Sequence, residues 1–135
     1  MGNTIVWADI PVTDLDRASK FYAHVLGVPV TQPPGMEGVA LPGPAVPPEP
    51  GQMPTGTMTV SFDLYKGDRK PSMDGATVYL ASGGDIDGMI ARVREAGGEI
   101  LQEKRFMGPM IGWTAFFKDS EGNRIGIEQM GDGSE

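Results

Sequence analysis

The stretch from Phe116 to Met130, FFKDSEGNRIGIEQM, predicts a β-hairpin. An apolar run gives way to polar residues at Asp119–Asn123, where we place the turn, and then to a strand of alternating character. One face of this outgoing strand is apolar, and the other carries three residues of mixed chemistry: Arg124, Gly126 and Glu128. Because a glycine within a strand marks a close approach to the backbone, we predict that this second face is the wall of a cavity.

Length, composition and charge set limits on the class of protein. The chain has 135 residues, enough for a single domain with its own core. It has no cysteine, which excludes disulfides, thiolate nucleophiles and cysteine-ligated metal sites. A net charge of −7 argues against nucleic-acid binding, favours solubility, and would also attract a cationic ligand. With no apolar run near the ~20 residues of a membrane span and no signal peptide, we expect a cytoplasmic protein without a membrane partner.

The beginning of the chain predicts a strand followed by an amphipathic helix. Thr4–Val12 alternates in character, and one of its faces combines an aromatic, an acid and an imino acid: Trp7, Asp9 and Pro11. Thr13 and Asp16 are spaced like a capping box at the start of a helix. Apolar residues then recur at helical spacing: Leu15, Ala18, Phe21, Tyr22, Val25 and Leu26. Gly27 predicts the end of this helix.

The composition changes between Thr31 and Gly56, which hold eight of the twelve prolines. Proline avoids sheet interiors because it has no N–H to donate, and a long segment of this kind in a compact domain is usually functional or disordered. We predict a partly ordered flap, with short strands only at Gly38–Leu41 and Ala45–Val46. Thr57–Tyr65 alternates again and predicts the next strand.

The second half of the chain repeats the first. Ala76–Ala81 predicts a strand, and a helix starting at Asp85 should end at Gly97-Gly98. DLDRASKFYAHVLG and DIDGMIARVREAGG align at an offset of 71 residues, which places Trp7 on Val78 and Asp9 on Leu80. A strand at Glu99–Glu103, a loop at Phe106–Gly112 and the hairpin follow. Internal repeats constrain the fold strongly, and each half has the order strand, helix, then two or three strands.

These features together resemble the glyoxalase/bleomycin-resistance/dioxygenase superfamily, also called vicinal oxygen chelate. The resemblance depends on four motifs in this order: Asp14-Leu15-Asp16, Phe21-Tyr22 with Val25-Leu26-Gly27, Ala96-Gly97-Gly98, and the Phe117–Asn123 hairpin. It implies an α+β fold of two βαβββ modules that form curved mixed sheets around a cavity, and a homodimer. We expect one domain over residues 1–135, with module one at about 4–65, including the flap 31–56, and module two at about 75–130.

The resemblance also implies a divalent metal held by His, Gln, Tyr or Glu side chains. Its ligand positions fall on Trp7, Val78 and Gly126, and a fourth lies near Val60, where residues 53–62 contain no His, Glu or Asp. Divalent cations need several oxygen or imidazole donors, so we predict that no metal cofactor binds. The single histidine, His24, is expected on the outer surface of the first helix, and Glu128 in a shifted alignment would still be one carboxylate alone.

We predict a ligand site in the cavity lined by the following residues: Trp7, Asp9, Val78, Leu80, Trp113, Arg124, Gly126 and Glu128. The methionines of residues 106–112 would lie near its mouth, and Gly126 would leave room for a ligand. Asp9 is either solvated or paired with Arg124 or with a cationic ligand.

Three functions stay open at this point. The first is metal-free binding of a small, cationic or aromatic organic molecule. The second is an enzyme, either a metal-dependent activity of the lactoylglutathione lyase, isomerase or dioxygenase type through unrecognised ligands, or acid–base catalysis by Asp9, Arg124 or Glu128. The third is a dimerisation module with a vestigial cavity.

Overall fold

The computed structural model describes Ile5, residues 7–43 and residues 62–131. The described first module contains β1 (Ala8–Pro11), α1 (Leu15–Leu26), β2 (Val30–Thr31), β3 (Val39–Pro42) and β4 (Phe62–Tyr65). The second contains β5 (Val78–Ala81), α2 (Ile86–Glu95), β6 (Glu99–Phe106), β7 (Trp113–Lys118) and β8 (Arg124–Gln129). The strand predicted at Ala45–Val46, and residues 57–61 of the strand predicted after it, lie outside the described residues.

Each module forms a four-stranded mixed sheet, in the order β1-β4-β3-β2 and β5-β8-β7-β6. In each sheet the strand before the helix pairs in parallel with the last strand of the module, and the other pairs are antiparallel. This arrangement confirms the predicted α+β fold of two repeated modules. Among the described helices, none combines the length and the apolar character that a membrane span requires.

Local capping chemistry sets the helix ends within about a residue of the prediction, but the cap of α1 is Asp14 and not Thr13. The Asp14 carboxylate accepts the Arg17 N–H at 3.0 Å, and Gly27 ends α1 with a left-handed φ of 71°. The Asp85 carboxylate caps α2 in the same way through the Gly88 N–H at 2.9 Å. The apolar faces of both helices pack with the sheets into one core, whose largest fully buried side chains are Tyr22, Phe117, Ile10 and Leu64.

The hairpin after β7 connects the two modules. Its turn lies at residues 119–123 as predicted, closed by the Asp119 N–H and the Asn123 carbonyl at 2.9 Å. The Glu121 Oε1 atom accepts the N–H groups of Thr13 and Asp14, both at 2.9 Å, at the start of α1. The buried Tyr22 hydroxyl donates to Asp119 at 2.5 Å. A turn of the second module therefore caps and anchors the helix of the first.

Two strands differ in extent from the prediction. β6 continues to Phe106 rather than ending at Glu103, because it pairs with β7 as far as Phe106 opposite Trp113, with two shifts of register on the way. β2 was not predicted, and its two residues become a strand only by pairing with β3.

The repeat also differs from the prediction, by one residue in its strands. β1 and β5 begin 70 residues apart, at Ala8 and Val78, whereas the helices begin 71 residues apart. The extra residue lies in the turn Ser82–Gly84 before α2, so Asp9 corresponds to Tyr79 and not to Leu80. We call the side of each sheet that faces away from the helices its open face. Val78 and Leu80 lie on the other side of the sheet. Leu80 is 4% exposed within the core, so the prediction that it lines a cavity was wrong, whereas Val78 packs against the core and also lines a cavity described below.

Candidate functional site

The open face of the second sheet is built around Gly126. Tyr79 on β5 and Phe116 on β7 are its register partners on either side. Their rings meet edge to face with centroids 5.6 Å apart. A Cβ atom at Gly126 would lie 2.5 Å from the Tyr79 ring. The predicted close approach to this glycine is therefore present, but the ring of Tyr79 fills the room that we expected a ligand to use.

A groove of about 460 Å³ lies on this face beside the two rings. It is lined by aromatic, aliphatic, thioether and polar side chains from β5 to β8 and from the loop after β6: Tyr79, Gln102, Arg105, Met107, Ile111, Thr114, Phe116 and Glu128. Glu128 thus lies in a cavity wall as predicted, and Met107 places the methionine loop at its edge. Trp113 does not line the groove, because it lies on the side of β7 opposite Thr114 and packs against Phe106 and the core.

Arg124 lies at the other end of the same strand. Its guanidinium is 4.0 Å from the centroid of the Phe116 ring, and its Nη1 donates to the Thr77 hydroxyl at 2.9 Å. It also lines a smaller cavity of about 280 Å³ between β1 and β5, together with Asp9 and Val78. Of the alternatives left open for Asp9, pairing with Arg124 is wrong, since the Asp9 carboxylate accepts Nη2 of Arg69 at 2.9 Å.

The open face of the first sheet holds two adjacent carboxyl groups, which we call the carboxyl pair: Asp9 on β1 and Asp63 on β4. They are direct register partners across parallel strands. The side chain of Asp9 is 33% exposed, whereas Asp63 is 6% exposed. The Oδ1 atom of Asp63 is buried without a conventional hydrogen-bond donor among the described residues.

The two carboxyl groups differ in their affinity for protons. Burial, reinforced by the neighbouring Asp9, raises the pKa of Asp63 to about 6. The pKa of Asp9 is lowered by hydrogen bonding with Asp63 and by the Arg69 guanidinium. The indole of Trp7, two residues before Asp9, also lowers the pKa of both carboxyls. The pair can therefore hold one proton and release it near neutral pH.

Sequence reasoning missed Asp63 because it placed the fourth family position near Val60. In the structure Asp63 pairs with Asp9 as Gly126 pairs with Tyr79, so Asp63 is the counterpart of Gly126 in the first module. The sequence could have identified Asp63 if the alternating residues 57–65 had been aligned with β8, because Asp63 then falls opposite Gly126.

The described residues do not fit a divalent metal. At the family's ligand positions, Trp7 has no lone pair to donate in the plane of its ring and Gly126 has no side chain. The carboxyl pair supplies two groups, one of them already bound to Arg69, and no cluster of three His, Asp or Glu side chains occurs within residues 7–43 and 62–131. His24 is exposed on α1 and contacts Glu95 at 2.7 Å.

Comparisons with known proteins agree with this architecture. A protein from Didymella fabae described as a glyoxylase-like domain-containing protein is 29% identical over 126 residues, covering 88% of each chain. A glyoxalase/bleomycin resistance protein from Albidiferax ferrireducens T118 superposes with a TM-score of 0.60 at 21% identity, over 89% of this chain and 92% of that one. The antibiotic binding protein TnmS3 from Streptomyces sp. CB03234 also has a TM-score of 0.60, at 20% identity, over 96% and 97%.

The match to a family model extends over residues 4–127. It includes the carboxyl pair, most of both modules, and every residue that lines the groove except Glu128. The chain therefore belongs to the glyoxalase/bleomycin resistance protein/dioxygenase superfamily.

Proposed function

We propose that this protein binds a small planar organic cation in the groove of the second sheet, without a metal. The observation that carries the proposal is the convergence of two aromatic rings and one carboxylate on a groove of about 460 Å³. A site of this kind is typical of ligand pockets, in which apolar and aromatic walls surround a few polar groups.

The aromatic side of the groove is available to a ligand. Tyr79 is 49% exposed although it is a large ring, and Met107 and Ile111 beside it are 46% and 48% exposed. A flat molecule placed against these side chains would bury apolar surface that is now in water. Thioether side chains adapt to different ligand shapes, which suits a protein that sequesters related compounds.

The polar side of the groove carries one carboxylate, Glu128, and one guanidinium, Arg105. Glu128 can pair with a positively charged group of the ligand, and the net charge of −7 raises the local concentration of cations around the protein. Arg105, Gln102 and Thr114 supply donors that could hold polar substituents of the same ligand. TnmS3, which shares the fold, is described as an antibiotic binding protein, and this description supports a sequestering role rather than a catalytic one.

We also propose that the protein is a homodimer. Large apolar side chains outside the groove are also exposed, among them Met110 after β6 and Met130 after β8, at 76% and 72%. Exposed apolar surface of this kind is a common feature of interaction sites. Light scattering coupled to size-exclusion chromatography tests this part of the proposal directly, since a monomer mass at micromolar concentration would contradict it.

Isothermal titration calorimetry with a matched pair of probes tests ligand binding. 9-Aminoacridine is a planar cation at neutral pH, whereas acridine has almost the same shape and is largely neutral. We expect saturable binding of the cation, weaker binding of acridine, and a loss of about fivefold in affinity for the cation alone in Glu128→Gln, as for an ion pair of about 1 kcal/mol.

Phe116→Ala should weaken both probes, because it removes part of the aromatic wall. Glu103→Gln is the matched control, since Glu103 is an exposed carboxylate on β6 that pairs with Arg94 outside the groove. Equal affinities of the wild type, Glu128→Gln and Phe116→Ala for both probes would refute the groove as the binding site.

A further inference from the structure

We propose that Asp9 and Asp63 act together as a general base on the open face of the first sheet, and that they take a proton from a planar, weakly acidic molecule lying against Trp7. This inference concerns the other sheet and does not depend on ligand binding in the groove. Asp63, the first-module counterpart of the family's ligand position Gly126, would then belong to a proton acceptor that works without a metal.

The strand pairing brings the two carboxyl groups together. Register partners on one sheet face have side chains in contact range, and like charges at such positions repel. Among the described residues, the cation paired with the two carboxyls is Arg69, which binds Asp9 and has Asp68 3.8 Å from its Nε. Lys70 and Arg124 line the cavity beside Asp9. Two carboxylates this close are stabilised by holding one proton in common, and a shared proton also supplies the donor that the buried Oδ1 of Asp63 lacks.

The asymmetry of the pair gives each carboxyl a separate role. A third of the Asp9 side chain is exposed to solvent, so a substrate can reach its carboxylate. Asp63 is enclosed, and its negative charge is poorly solvated, which makes the pair as a whole a better proton acceptor than a solvated aspartate. A proton accepted by Asp9 would therefore be held jointly with Asp63.

Trp7 provides the surface against which a substrate can lie. Trp7 lies just ahead of β1, two residues before Asp9, and its indole is near enough to both carboxyls to lower their pKa. The residue is 43% exposed. A flat molecule stacked on the indole would present its edge to the Asp9 carboxylate. The expected substrate class is thus an aromatic or conjugated molecule with an acidic C–H or O–H at its edge.

The ring opening of 5-nitrobenzisoxazole is a direct assay of such a base. The carboxyl pair removes the proton on the carbon next to nitrogen, the electrons of that C–H bond complete a carbon–nitrogen triple bond, and the N–O bond breaks to leave a coloured nitrophenolate. No oxidant or cofactor takes part. The pair then returns its proton to water.

We expect at least a tenfold lower kcat/KM in both Asp9→Asn and Asp63→Asn, together with a wild-type rate that rises with pH through about 6 and then levels. Asp87→Asn is the matched control, because Asp87 is an exposed aspartate on α2 paired with Lys104 at 3.0 Å. Wild-type rates in Asp9→Asn and Asp63→Asn would overturn the proposal, as would an equal loss in Asp87→Asn.

Carboxyl carbon NMR provides a second measurement that does not depend on turnover. In the wild type the Asp63 signal should titrate near pH 6, and Asp9→Asn should lower that midpoint because it removes the neighbouring negative charge. An Asp63 midpoint near the ordinary value of 3.8 in both proteins would also overturn the proposal.

Discussion

Replacing Glu121 should remove a large, acid-sensitive part of the stability of this fold. The carboxylate has no exposed side-chain surface and joins the hairpin of the second module to α1. Its Oε2 atom accepts Nε of Arg17 at 2.8 Å, and its Oε1 atom accepts the N–H groups of Thr13 and Asp14 at 2.9 Å. The contact therefore neutralises a helix terminus and holds the two modules together.

The size of the effect follows from the pKa of this group. Burial alone would raise the pKa of Glu121, but the bonds from Arg17, Asp14 and Thr13 outweigh burial and lower it from 4.5 to about 2. That difference corresponds to about 3 kcal/mol in the free energy of unfolding. Because the folded pKa is the lower one, this contribution is fully present above pH 4.5 and is lost as the pH falls toward 2.

Urea unfolding between about pH 2 and 7 measures this contribution, with Glu121→Gln as the main variant. The amide is neutral, as the protonated acid is, so we expect a loss of about 3 kcal/mol at neutral pH, and about 3 to 5 kcal/mol for Glu121→Ala. Both variants should lose less stability than the wild type on acidification. Glu103→Gln is the control for removing an exposed, paired carboxylate. If Glu121→Gln showed the same acid dependence as the wild type, the assigned role of this carboxylate would be refuted.

Three further predictions concern the site. Asp63→Asn should raise the free energy of unfolding at pH 8 by about 1 to 3 kcal/mol. The reason is that the raised pKa of the folded-state Asp63 carboxyl makes the wild type less stable as the pH rises from 3.8 through about 6. Urea unfolding should show that this gain vanishes below about pH 4. Gly126→Ala should destabilise the protein by about 1 to 3 kcal/mol, because the new methyl group would collide with the Tyr79 ring. Adding Tyr79→Ala removes that ring, so thermal melts of the double variant should show part of the lost stability restored. Added nickel, zinc or manganese should leave the melting temperature unchanged, whereas a site filled at 100 times its dissociation constant would add about 2.7 kcal/mol.

The fold was predictable from the sequence because its signals are local. Asp14 and Gly27 mark the ends of α1 through interactions within a few residues, and the turn at residues 119–123 is defined by its own side chains. The repeat then supplied the order of the elements. None of these signals required knowledge of which strand pairs with which.

The candidate site was less predictable because it depends on pairing between distant strands. One additional residue before α2 changes the strand offset from 71 to 70, and this single step moved Val78 and Leu80 onto the wrong face. Asp63 meets Asp9 only through the parallel pairing of β1 with β4, across a proline-rich segment that offers no register signal. Arg69 reaches Asp9 from a turn 60 residues away. No local sequence pattern identifies Arg69, rather than Arg124, as the partner of Asp9.

The two modules have the same backbone arrangement but different chemistry at equivalent positions. Where the first sheet has Asp9 beside Asp63, the second has Tyr79 beside Gly126. Two carboxyl groups at one position favour proton exchange, whereas a ring lying across a glycine favours stacking. Asp63→Asn and Glu128→Gln therefore form a decisive pair of variants. If each impairs only the property of its own sheet, the two modules have separate functions, whereas impairment of both properties by both variants would mean that a single ligand spans the two open faces.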